Sequence, residues 1–104
     1  MAITIQKGTL LNAVTGTGAG AGTSLDKVCK SFTFEKRIAG VFSALVIAYE
    51  GSIDGLNWFN LATDSAVTAA PTFAIDKPCL WIRANCTTFT GGTNTTVLFV
   101  ATED

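Results

Sequence analysis

Apolar and polar residues alternate with a period of two along most of this chain, and no stretch sustains the spacing of a helical face. Ile3 and Ile5 flank Thr4, and Leu10-Leu11-Asn12-Ala13-Val14 reads as a second strand. Phe32 and Phe34 alternate with Ser31, Thr33 and Glu35. Val41 to Tyr49 is nearly continuously apolar, which predicts a central strand covered on both faces. Asn57 to Ala62 predicts a short strand, and Val67 to Ile75 a weaker one interrupted by Pro71. Leu80, Ile82, Ala84 and Cys86 then share one face of a strand whose other face carries Trp81, Arg83 and Asn85. In the last strand, Thr95 to Thr102, Val97, Phe99 and Ala101 lie opposite Leu98 and Val100. About eight strands at regular intervals predict an all-β domain, an antiparallel β-sandwich of jelly-roll type.

Turn residues punctuate these strands. Asp54-Gly55 and Gly91-Gly92 stand where tight turns need a backbone that accepts positive φ. Pro78 cannot donate to a ladder and marks the start of the strand at Cys79. Thr15 to Ser24 contains four glycines and no side chain larger than threonine, so it reads as a flexible loop that orders only against a partner. Residues 1–24 together predict an N-terminal arm on a single domain spanning 1–104.

Composition narrows what such a domain does. The 104 residues suit one domain, and 48% of them are apolar, enough for a core. Only 14% are charged, against roughly 25% in an ordinary soluble domain. The net charge of -1 disfavours nucleic acid as a partner, because such binding rests on a basic excess. Residues 1–37 carry five basic and two acidic groups, and residues 38–104 carry two and six. Lys27, Lys30, Lys36 and Arg37 therefore read as a solvated strand or loop, or as a basic strip that meets an acidic patch on a neighbouring copy. The start of the chain lacks the basic and apolar regions of a signal peptide, and the longest apolar stretch, Ile38 to Tyr49, is too short for a spanning helix. Synthesis in a cytoplasm and no membrane partner are the expectation.

Chemistry is sparse in the sequence. There is no histidine, which removes the usual general base and most zinc sites. Gly16-Thr17-Gly18-Ala19-Gly20-Ala21 matches a loose dinucleotide fingerprint, but the residues after it are strand-like, and the fingerprint needs a helix. Glu50, Asp54 and Asp64 are the carboxylates that glycoside hydrolysis would use, and Asp54 with Asn57 the pair that calcium would use. Asp54 already sits where a turn wants aspartate, and no ladder of oxygen ligands surrounds it. Tyr49, Trp58 and Trp81 suit a sugar-stacking platform, although in a chain this small such residues are more often core or interface anchors. No catalytic residue, metal ligand or cofactor is expected. Of Cys29, Cys79 and Cys86, the last two lie seven apart on one strand and cannot pair, while Cys29 can pair with either. All three also read as buried free thiols.

Two stretches carry a resemblance. Tyr49 to Leu61 contains Ser52-Ile53-Asp54-Gly55-Leu56-Asn57-Trp58, and Leu80-Trp81-Ile82-Arg83-Ala84-Asn85-Cys86-Thr87 runs on through Gly91-Gly92-Thr93 to Val97. Together they resemble the discoidin-like sandwich layout in the compact form of small structural proteins of tailed bacteriophages, both head decoration (cement) proteins and tail-associated proteins. The resemblance covers roughly residues 40–102 and implies a non-enzymatic virion protein. It implies a decoration protein that binds the head surface, with the major capsid protein or other virion proteins as partners and a homo-oligomer, a trimer above all. A tail or neck component and a small carbohydrate-binding module are the alternatives. The residues expected at the interface are Ile3, Ile5, Leu10 and Leu11 of the arm, with Lys27, Lys30, Lys36 and Arg37 as its polar strip.

Overall fold

Phe, Thr, Val and Ile, placed at alternate positions, favour a pleated surface with one face dry. The computed structural model describes residues 5–103 and shows two antiparallel sheets and, among those residues, no helix. The first sheet runs β1 (Ile5–Val14), β9 (Asn94–Thr102), β4 (Ser31–Ala39), β7 (Ala70–Ala74). In the second sheet, β2 (Gly18–Ala19) and β3 (Thr23–Cys29) both pair with β8 (Cys79–Gly91). The sheet continues through β5 (Phe42–Ser52) to β6 (Trp58–Asp64). Counting β2 and β3 as two halves of one interrupted strand, the chain passes between the sheets in jelly-roll order. Nine segments stand where about eight strands were expected, because the two strands read before residue 15 are one and both β2 and β3 lie where no strand was read.

The core forms where the inward residues of the two sheets meet. Phe34 of β4 stacks on Tyr49 of β5 with ring centroids 4.1 Å apart and planes 5° from parallel. Leu45, Ile47, Ile82, Ala84, Val97 and Ala101 are buried around them. β5 is the central strand expected from its composition. Its inward residues Leu45, Ile47 and Tyr49 are buried, while Val46 and Ala48 are only half-buried, so its second face is less covered than expected. Pro71 lies on the edge strand β7 opposite Glu35, and edge strands are where a sheet accepts proline.

The structure corrects the reading of the N-terminal segment. The two strands read at Ile3–Ile5 and Leu10–Val14 are, from Ile5 onward, one strand paired to β9 from Ile5↔Thr102 to Val14↔Thr95. It is bent by two irregularities, so its periodicity breaks in the sequence. Leu10 and Leu11 are buried in the core and are not docking residues. The Gly-rich stretch is tied down as well, since Gly18 and Ala19 pair with Cys86 and Asn85, and the Gly20 N–H donates to the Ala84 carbonyl at 2.8 Å. Backbone pairing needs no side chain, which is why a stretch of Gly, Ala and Thr gave no sign of it.

Candidate docking surface

The outward face of the first sheet carries, among others, two neighbouring rows of directly opposed residues. One row runs Lys7, Val100, Thr33, Phe73, and the next runs Thr9, Leu98, Glu35, Pro71. Opposed residues leave a sheet on the same side, so each row is a line of side chains across four strands. Phe73 is 59% exposed and Val100 43%, so this face holds apolar side chains in water on either side of Thr33. Between the rows lies a groove of about 480 Å³ lined by Lys7, Gly8, Thr9, Thr33, Glu35 and Leu98, with Phe99 and Val100. Its apolar floor is flanked by a cation on β1 and a carboxylate on β4, a layout that fits a partner carrying both kinds of charge around an apolar centre.

The residues expected at an interface are distributed otherwise. Ile3 lies outside the described residues, and Ile5 begins β1 at the edge of the first sheet. Lys27 faces Glu103 at 3.7 Å and Lys30 faces Asp76 at 3.8 Å, both exposed. Arg37 is on the outward face of β4, where its Nε donates to Glu35 at 2.7 Å. Lys36 is the clear departure. It points inward with its side chain 0% exposed, its ammonium 3.1 Å from Asp64 Oδ2 and donating to the Ala66 carbonyl. The expected basic strip is therefore not continuous, and Lys36 is no part of it. Its inward direction was readable, because it continues the alternation of Phe32 and Phe34. Phe73 and Val100 were missed because an exposed apolar residue on a strand looks like a core residue until the faces are assigned.

The other candidate groups have partners close by. Asp54 organises the turn between β5 and β6, accepting from the Leu56 and Asn57 backbone N–H groups at 2.8 and 2.9 Å and from Asn57 Nδ2 and Ser52 Oγ. These bonds stabilise the ionised form and hold its carboxyl well below the usual carboxylate range, the backbone donors foremost. Trp58 carries the Arg83 guanidinium over its ring at 4.3 Å, and Arg83 in turn donates to Glu50 at 2.7 Å. Both tryptophans are half-buried, and one face of Trp58 is occupied by Arg83. Tyr49 is in the core and is part of no platform. Among the described residues, no group of three His, Cys, Asp or Glu is placed to hold a metal.

This arrangement of two sheets has a solved counterpart. The chain is similar in fold to the SPBc2 prophage-derived protein YomS. The two superpose with a TM-score of 0.71 over 98% of this chain and 96% of YomS, at 13% sequence identity. Looser matches are PirA, with a TM-score of 0.42 at 14% identity over 94% of this chain and 92% of that one, and the Yersinia pseudotuberculosis-derived mitogen, with a TM-score of 0.45 at 13% identity over 97% and 84%. No family profile matches the sequence, and no curated protein matches it. At these identities the likeness to YomS speaks to the fold.

Proposed function

We propose that this chain is a non-enzymatic structural protein of a phage particle, made in the host cytoplasm, that decorates the capsid and stabilises it. The observation that carries the reading is the pair of exposed apolar side chains, Phe73 and Val100, standing either side of Thr33 on the outside of the sandwich. Residues of that size stay exposed at little cost when a partner covers them in the working assembly. The prophage origin of YomS supports the setting. The partner is the major capsid protein or another virion protein, and the copies associate with one another, a trimer being the favoured form. Each copy would add contact area between neighbouring capsid subunits, and many weak contacts on one lattice add through avidity.

Binding of the purified chain to phage heads that lack it tests the reading. Saturable binding is expected, and Phe73→Ser with Val100→Thr should remove it while leaving the melting temperature nearly unchanged, as surface substitutions do. Binding to tails but not to tailless heads would move the protein to the tail or neck. Binding to neither would overturn the structural role.

A further inference from the structure

The three thiols are all buried and free, yet the topology sets two of them apart. Cys79 and Cys86 share β8 at a separation of about 23 Å along an extended strand, far beyond a disulfide. Cys29 closes β3 and is the directly opposed partner of Cys79 across the antiparallel ladder. Such partners have Cα atoms about 4.5–5.5 Å apart, inside the window of about 4.4–6.8 Å that a disulfide spans. Opposed residues also leave the sheet on the same side, and burial of both shows that side to be the core. We propose that Cys29 and Cys79 form a disulfide when the protein meets an oxidising medium, and that Cys86 stays free.

The oxidant is a soluble disulfide such as oxidised glutathione. One cysteine loses its proton and attacks a glutathione sulfur, which releases one glutathione thiolate and leaves a mixed disulfide. The second cysteine loses its proton and displaces the other glutathione. Two electrons pass from the protein thiols to the glutathione disulfide, which leaves as two glutathione thiols. Burial raises both protein thiols, with Cys79 pushed up to about 11, so the closed protein reacts slowly and the first attack follows opening of the end of β3. That end is loosely laddered. Between Ser24 and Cys29 the pairing with β8 is interrupted, so the cysteine sits at an isolated contact beyond the break. The bond would fasten that end to the first residue of β8 and close a ring containing β4 to β7. This pairing is a property of the fold and stands whatever surface the protein docks to.

The test is oxidation of the folded full-length chain with a glutathione redox buffer, acid quenching, and thiol counting after unfolding. The expected count falls from three thiols to one, with an intact mass lower by two hydrogens and a higher melting temperature. Trypsin separates the candidates, because Arg83 lies between Cys79 and Cys86. The peptide carrying Cys29 should be linked to the one carrying Cys79, and Cys86 should be alkylated. Cys86→Ala should oxidise like the natural chain, and Cys79→Ser should show no such closure. If Cys79→Ser does not fold, the peptide map of the natural chain decides alone. Three thiols persisting in the folded protein at full oxidation, or a bridge mapped to Cys86, would overturn the pairing.

Discussion

A lysine ammonium inside a β-sandwich is tolerable only as one partner of a pair. Lys36 comes from the first sheet and Asp64 from the second, and neither reaches water to any extent. Asp64 Oδ1 also accepts the Ala66 N–H at 2.9 Å, so both charges are pinned to the same short segment after β6. Lys36→Met leaves the Asp64 charge stranded and should cost about 3–5 kcal/mol, whereas Lys36→Met with Asp64→Leu should recover most of that loss, as replaced buried pairs do. Urea denaturation of the natural chain, the single and the double variant measures both. Asp54 makes the opposite case, a charge held at the surface. Its folded carboxyl titrates below its unfolded value near 4, so its stabilising contribution is complete above about pH 4 and fades as the pH falls below that. Asp54→Ala should therefore lower the melting temperature at pH 7, and the gap to the natural chain should narrow on acidification to pH 2–3. A gap independent of pH would show that shape, not charge, matters in that turn. The turn role of Asp54 was legible from its glycine neighbour. The pairing of Lys36 was not, because nothing in the sequence says that Asp64 will arrive opposite it.

At the scale of elements, the interruption between β2 and β3 carries the most information. Gly20 sits in it, between the edge of one sheet and the interior of the other. A Cβ at that position would lie 2.5 Å from the Leu10 carbonyl and 2.8 Å from the Leu11 side chain. A backbone carbonyl does not swing aside as a side chain does. Gly20→Ala should therefore cost about 1–3 kcal/mol as an overpacking change, with the largest losses of amide protection at Gly20 and along β8 near Ala84. Uniform protection in the variant would contradict this placement. The strands with bulky alternating residues, β4, β8 and β9, were readable because each inward side chain announces its face. The segment 15–24 was not, since its order rests on backbone hydrogen bonds and on glycines chosen for close approach. The turn at Gly91-Gly92 was readable for a related reason, as both residues take positive φ, 75° and 68°. There the glycines occur as a pair between two clear strands.

On the scale of the whole molecule, the first and last strands are neighbours, and this decides what the N-terminal segment is. An arm can be removed without unfolding the domain it serves, whereas a strand cannot. β1 contributes a ladder with β9 along nearly its full length and buries Leu10 and Leu11. Two buried leucines are worth about 3–6 kcal/mol together, and a small domain has only about 5–15 kcal/mol in hand. Removing β1 would also uncover Phe99 and Val97 from the edge side and leave β9 as a new unpaired edge, prone to association. A chain starting at residue 15 should consequently be unfolded or aggregated, with collapsed amide dispersion in its NMR spectrum and no cooperative melt. If that shortened chain instead stays folded and merely loses its grip on phage heads, β1 is an exchangeable arm after all. Docking would then have to be sought in the segment that departs, and the exposed row from Phe73 to Val100 would lose its claim to be the contact face.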